Sequence, residues 1–448
     1  MTKGLMKFLM IGVACGALVS GGEAGAAGLY TNGVPPAGGT QYPTTIPLTG
    51  NELFPADTQL PSGVNPASES ISSLQLEAYG NTIAVGGNVL IGGDATTNLW
   101  QRATTGASET TTYAYGGPDR WAYWSGASTA VTLSRDSTAS DISPGYQYAF
   151  KLAETSGQTG VVQICMAQEV ESVNSYQLQG KTVELSFNAY TGANFNAANN
   201  AMTAYIVTGT GADEGMQKLA WGLNAGGGGS TAWTGQANAT AAVIGLGGVS
   251  TAGRYVAVAN IPATATEVGV ALCWTPNANA STNSYIAFSG IQLKSNQALA
   301  SFVSATAGYS TATVPATGFD RRPQQQETAL QQRYFWLLAE PAASKAVGNG
   351  NYQTITICDV QIPLPTQMRA APTLVIGGTA ESATTWAVMV GSVTPVALAS
   401  TFLIQDAVVG NTVNYIAVQG TTASKTAGFG CTLVGAGGGA NIQASAEL

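Results

Sequence analysis

Thr182-Val183-Glu184-Leu185-Ser186-Phe187-Asn188-Ala189-Tyr190 is the stretch that decides the fold class. Val183, Leu185, Phe187 and Ala189 fall on one side of an extended chain, with Glu184, Ser186 and Asn188 on the other. A period of two is the mark of a strand with one buried face. Working outward, Glu267–Trp274 places Val268, Val270, Leu272 and Trp274 on one face. Comparable runs lie at 147–151, 161–167, 202–207, 254–259 and 285–293. Gly-rich segments such as 224–230 separate them, and no βαβ spacing or long amphipathic helix interrupts the pattern. This favours an antiparallel sandwich of jelly-roll type over 81–322 rather than a doubly wound sheet.

Beyond this body, Pro323 precedes a short helix over 323–333, with Leu330 and Tyr334 four residues apart. Strand-like runs return at 352–362, 372–376, 386–391, 402–405 and 412–419, so 334–448 reads as a second β-sandwich with a Gly- and Ala-rich tail. Before the first sandwich the pattern disappears. Residues 28–80 carry Pro35, Pro36, Pro43, Pro47, Pro55, Pro61 and Pro66, which fix φ and remove donors, excluding a long helix or a central strand. Tyr30, Tyr42, Leu53, Phe54 and Leu60 nevertheless punctuate the segment. It reads as an extended anchoring arm lying along another surface; a flexible linker is the bland alternative. Residues 1–27 hold Lys3 and Lys7 before an apolar run that includes Phe8, too short to cross a bilayer comfortably. An apolar leader retained and buried in an assembly is expected there, with a cleaved export signal as the alternative. The predicted fold is thus mainly β: an extended N-terminal arm, a jelly-roll-like sandwich and a C-terminal sandwich.

Composition narrows the chemistry. Only 9% of residues are charged and the formal charge is -8, with the 16 Lys and Arg scattered, so an electrostatic grip on nucleic acid is disfavoured. Histidine is absent, which removes the usual proton shuttle, the commonest neutral metal ligand and every His-based triad. Paired carboxylates could still cut glycosides, but no paired motif is recognisable. Cys15, Cys165, Cys273, Cys358 and Cys431 show no CxxC spacing and read as isolated buried thiols, with a Cys165–Cys273 bridge as the alternative. No cofactor is implied, and Asp94, Asp119, Asp136 and Asp141 match no EF-hand loop, which makes a structural calcium site a minor reading.

Trp100, Trp121 and Trp124, beside Arg102 and Arg120, admit two readings. They could form a glycan platform, since aromatic faces stack on sugar rings. Filling the sandwich interior carries more weight, because such rings commonly do. Asp320, Arg321, Arg322, Arg333 and Tyr334 are expected to tie one domain to the next, with Asp320 pairing to Arg321, Arg333 or a neighbouring subunit.

Several of these segments, in order, resemble a family of phage and prophage tail-fibre-like proteins. They are Trp100-Gln101-Arg102, with Ala103 where glycine is usual; Asp119-Arg120-Trp121; and the run from Leu178 to Phe187. Next come Gly290-Ile291-Gln292-Leu293-Lys294, Phe319-Asp320-Arg321-Arg322-Pro323, Glu327, and Leu330-Gln331-Gln332-Arg333-Tyr334, where Gln331 replaces the usual Cys. Met368-Arg369-Ala370-Ala371-Pro372-Thr373 closes the match, which covers roughly 85–380. The resemblance implies a carbohydrate-binding-module-like jelly roll. It also implies a non-enzymatic virion fibre or spike of a bacteriophage, anchored by its arm to head, portal or tail proteins. The expected partners are further copies of the chain, with a trimer favoured, and a host surface polysaccharide. A secreted or surface bacterial carbohydrate-binding protein is the alternative, and a two-carboxylate glycan-degrading enzyme a third.

Overall fold

The computed structural model describes Leu53–Pro55, Ser70–Ser72 and, from residue 87 to 447, everything but a set of short loops (97–98, 111–112, 127–129, 224–230, 278–281, 315, 339–345, 378–385, 391–395, 398–399, 406–412, 422–425 and 436–440). Met1–Val85 and Gly86–Leu448 are separate units. In the first, β1 (Leu53–Pro55) pairs antiparallel with β2 (Ser70–Ser72) through Leu53↔Ser72, Phe54↔Ile71 and Pro55↔Ser70. The expected arm therefore contains a short ladder. Proline is tolerated because Pro55 sits at its end. The expected leader, with Phe8, and the anchors Tyr30, Tyr42 and Leu60 lie outside the described residues.

The chain is mainly β and its sheets are antiparallel. The sandwich is built from β3 (Ala122–Ser125), β4 (Val131–Asp136), β5 (Ala149–Glu154), β6 (Ile164–Val170), β7 (Thr182–Thr191), β8 (Ala201–Gly209), β9 (Ala237–Gly245), β10 (Ala252–Asn260), β11 (Glu267–Trp274), β12 (Tyr285–Ser295) and β13 (Gly308–Ser310). One sheet runs β13-β10-β7-β12-β5-β4 and the other β3-β6-β11-β8-β9. From β5 to β12 the chain changes sheet at nearly every connection. That is how a jelly roll makes the two sheets depend on each other. The alternation of Thr182–Tyr190 is realised: Val183, Leu185 and Phe187 meet Ile206, Leu272 and Trp274 of the opposite sheet in one core.

The outer face of β11 is buried too. Helix α1 (Met216–Leu223) and Trp233 cover it, packing with Trp124, Ala167 and Ala271. They can approach because Gly269 has no side chain; a Cβ there would stand 2.4 Å from Leu219 and 2.9 Å from Trp233. Helix α1 was not anticipated, since its two turns are too short to establish a helical period.

After α2 (Gln324–Gln332), the second body comprises β14 (Phe335–Leu338), β15 (Ala346–Tyr352), β16 (Ile357–Met368), β17 (Thr373–Gly377), β18 (Trp386–Met389), β19 (Val396–Ala397), β20 (Ser400–Gln405), β21 (Val413–Thr421), β22 (Gly430–Gly435) and β23 (Asn441–Ser445). A sheet ordered β14-β23-β17 and another ordered β19-β18-β22-β15-β16-β21-β20 share a core of Trp336, Tyr352, Val360, Ile362, Trp386, Leu433 and Ile442. The Gly- and Ala-rich tail is thus part of the architecture, as β22 and β23.

The isolated-thiol reading is corrected. Cys165–Cys273 and Cys358–Cys431 are disulfides. Cys165 and Cys273 face each other across the β6–β11 ladder, a juxtaposition created by strand register and hidden by a sequence separation of 108. Cross-linking so long a loop restricts the unfolded chain, so the double variant C165A/C273A is expected to lose about 2–4 kcal/mol of stability. Denaturant unfolding under non-reducing conditions measures this.

Candidate functional site

Trp100, Trp121 and Trp124 are buried, Trp121 completely. Trp100 and Trp121 pack on Phe150 with centroids 5.7 and 5.5 Å apart, and Trp124 lies beneath the outer layer with Cys165 and Trp233. The glycan-platform reading of these rings is therefore corrected: the faces that would stack on a sugar are spent on the protein's own core.

Their arginine neighbours turn to the second body. Arg120 is 1% exposed, with a positive φ of 69°, a conformation costly for a non-glycine residue unless its surroundings enforce it. The enforcement comes from Glu447. Its carboxylate accepts hydrogen bonds from the Arg120 guanidinium and, at 3.3 Å, from the Arg120 backbone N–H, and it pairs with Arg102 at 3.2 Å. Arg120 lies 3.7 Å above the Tyr334 ring and Arg102 3.8 Å above that of Phe335. Burial works against ionising Glu447, but the two guanidinia outweigh it and hold the carboxyl below the usual range. Asp119 receives amide N–H groups from Gln101, at 3.1 Å, and from Gln331. Its burial raises it to about 7 despite Arg102. Gln331, standing where the resembled family has Cys, is thus a donor at this junction.

The other expected tie residues divide: Arg333 and Tyr334 reach across the seam to the first sandwich, whereas Asp320 and Arg322 hold the linker to that sandwich. Asp320 pairs with Lys294 at 2.9 Å, not with Arg321 or Arg333, because Lys294 on β12 projects beneath it. Arg322 donates to the carbonyls of Asn88 and Leu90 and pairs with Glu327. Arg333 and the Tyr334 hydroxyl both reach Glu171, at 2.8 and 3.0 Å. Arg369 donates to the Ala446 carbonyl at 2.9 Å and pairs with Asp213 at 3.2 Å. The four aspartates considered for calcium do not converge on one point: Asp94 faces Arg321 and Asp119 faces Arg102, while Asp136 and Asp141 are neighbours joined by a side-chain hydrogen bond, with Lys151 and Tyr285 as their further partners. Among the described residues no group of three or more Asp, Glu or Cys is arranged to hold a metal ion.

Beside the junction, Glu169 and Glu267 sit beneath the α1 layer, 1% and 0% exposed. Burial first, then mutual repulsion for Glu169, pushes Glu169 up to about 8; burial takes Glu267 to about 7. Closed off from solvent, the pair offers no approach to a substrate.

An open groove of about 450 Å³ lies on the outer face of the other sheet, within the size range of small-molecule sites. Tyr146 and Phe319 meet edge to face there, with centroids 5.6 Å apart, beside Asn188 and Arg254. Ser143-Pro144-Gly145-Tyr146 is a tight turn closed by the Tyr146 N–H to the Ser143 carbonyl at 3.2 Å, with Gly145 at φ +89°. Proline then glycine in its two central positions is the signature of a type II turn. Gly290, at φ +61°, passes under the ring; a Cβ would fall 2.1 Å from the Tyr146 hydroxyl. Phe319 and Arg321 face Tyr146, whereas Asp320 and Arg322 face the sandwich, so the Phe319–Pro323 motif serves both the groove and the attachment of the linker to the first body. The groove itself was missed from sequence. Its signals were the Pro-Gly turn before Tyr146 and the exposed-face position of Asn188.

The class defined by this geometry is an antiparallel β-sandwich with an aromatic surface groove. No family model and no curated protein matches the chain. Among solved structures, it is similar to the enzymatically active domain of tailspike protein 4 of bacteriophage CBA120, at 12% identity and TM-score 0.24, over 47% of this chain and 21% of that one. It is also similar to a CBM4 carbohydrate-binding module, at 14% identity and TM-score 0.24, over 45% of this chain and all of that one. The third is the C-terminal family 22 carbohydrate-binding module of Clostridium thermocellum Xyn10B, at 12% identity and TM-score 0.22, over 45% and 97%. At such values the likeness carries no functional argument.

Glu447→Gln is expected to destabilise the chain by roughly 3–5 kcal/mol, since it leaves a buried guanidinium uncompensated. Adding Arg120→Met should recover part of the loss in denaturant titrations. A second expectation concerns pH. Glu169 and Glu267 hold their protons more tightly when folded, so their contribution is complete below the ordinary carboxylate range and is lost as pH rises through about 7 to 8. Glu447, shifted the other way, loses its contribution as pH falls through its lowered value. Stability should therefore peak on the mildly acidic side of neutral, and E169Q/E267Q should flatten the alkaline limb of the unfolding midpoint against pH.

Proposed function

We propose that this chain is a structural attachment protein of a bacteriophage virion, a fibre or spike whose sandwich holds host-surface carbohydrate in the Tyr146–Phe319 groove. The observation that carries the reading is the groove's chemistry. Two half-buried aromatic rings stand at an angle beside an amide and a guanidinium, which matches a sugar's apolar ring face and polar rim. No carboxylate lines the groove among the described residues, so the arrangement suits holding a glycan rather than cutting one. The seam around Glu447 supports a structural role, because it ties the two β bodies by ionic and stacking contacts rather than by a linker alone. In this reading the 28–80 arm seats the chain on head, portal or tail proteins. Homotrimers repeated on the particle then convert weak single contacts into firm adhesion. A secreted bacterial carbohydrate-binding protein would use the same groove; it differs in needing no particle.

Phe319→Ala and Tyr146→Ala should each weaken binding of the full chain to host surface polysaccharide at least tenfold, with little change in melting temperature. Trp121→Ala, by contrast, should cost about 3–5 kcal/mol of stability as a core deletion. Unchanged polysaccharide binding by both groove variants would remove the adhesion reading. Deleting residues 1–80 should abolish incorporation into particles, and normal incorporation would remove the anchoring role.

A further inference from the structure

We infer that the sugar taken by this groove is anionic, a hexuronate or similarly charged unit of an acidic polysaccharide; the inference rests on the carbohydrate reading of the groove. Arg254 carries it. It projects from β10 into the groove, partly exposed, and among the described residues it forms no ion pair. Most other basic side chains of the sandwich are matched: Arg102, Arg120, Lys151, Lys218, Lys294, Arg321 and Arg322 all have carboxylate partners. Arg135, over the Tyr148 ring, and Lys181 also form no ion pair among the described residues, but neither lines the groove, so on a chain with formal charge -8 Arg254 is the unmatched cation placed to meet an anion there.

The guanidinium is also held in place. Its Nη2 donates to the Ser186 hydroxyl at 3.1 Å and to the Thr317 carbonyl at 2.9 Å. Ser186 in turn donates to Glu184 at 3.2 Å, but that carboxylate also accepts from Thr317, Gln292 and Asn296, and it is fully buried. Glu184 thus orients Arg254 through Ser186 without sitting in the groove. The Tyr146 hydroxyl is a further hydrogen-bond partner; of the five N–H donors in the guanidinium's fixed fork, at least two remain for a carboxylate once these three contacts are made.

A second cation stands at the lip. Arg321 is half exposed, its guanidinium 5.4 Å from the Tyr146 ring centre and 2.7 Å from the Gly145 carbonyl; its pairing with Asp94 is long, at 3.8 Å. Tyr146 and Phe319 would take the apolar ring face, Asn188 the hydroxyls, and Arg254 the carboxylate. A neutral sugar would leave the Arg254 charge unused.

The test is calorimetric titration of the full chain with a tetrasaccharide of glucuronic acid and with one of glucose. The acidic sugar should bind at least tenfold more tightly, and its affinity should fall as salt rises from 50 to 500 mM. Arg254→Gln should weaken acidic binding at least tenfold and remove the preference for the acidic sugar over the neutral one. Arg254→Lys, which keeps the charge, should retain the salt dependence and serves as the folding control. Equal binding of the two sugars, or an acidic affinity untouched by Arg254→Gln in a protein with unchanged melting temperature, would overturn the anionic class and spare the carbohydrate reading. Binding of neither sugar, or of both with Phe319→Ala as good as the unaltered chain, would overturn the groove itself.

Discussion

A guanidinium sealed inside a protein must meet a compensating charge, and Arg120 is such a group. It stands in the turn just before Trp121, whose ring enters the sandwich core, and its guanidinium is enclosed between the Glu169 carbonyl and the Tyr334 ring. The partner, Glu447, comes from beyond β23, so the second body has to be folded and docked before the charge is neutralised. Arg102 and Asp119 join the same network, as do the rings of Tyr334 and Phe335. Removing one partner is costly where replacing the whole set by apolar groups need not be. The network's role is thus better described as fixing one arrangement of two sandwiches than as adding net stability.

This explains how a chain with so few charges deploys them. Small and apolar side chains build both cores, while ionic groups gather where the two bodies meet: Arg120 with Glu447, Arg333 with Glu171, Arg369 with Asp213. Arg254 departs from that pattern, and it does so at the groove. The extended Phe319–Pro323 segment links the two regions by alternation, sending successive side chains to opposite sides. A change that shifts its register by one residue would exchange the groove's ring for the Asp320 carboxylate.

The fold was legible wherever one face of a strand is buried and the other is not. Thr182–Thr191 and Glu267–Trp274 appear where their alternation puts them, as does the helix beginning at Gln324. Ala237–Gly245, Gly430–Gly435 and Asn441–Ser445 were not legible, because alanine and glycine give little contrast between faces. The tryptophans were conspicuous by size, but size alone does not distinguish a buried ring from an exposed one. Tyr146 and Phe319 come together over a separation that only the finished sheet closes, as do Cys165 and Cys273. What stayed hidden in each case was a pairing set by strand register, which a linear pattern does not contain.

The 327 positions between Arg120 and Glu447 carry a consequence in time. A ribosome adding residues at about 5–20 per second takes on the order of 15–65 s to cover that distance. For that interval the emerging sandwich holds two guanidinia that still lack Glu447. A message cut short by a nonsense codon would leave them so permanently, and the truncated product would be open to proteolysis at the very surface that completion seals.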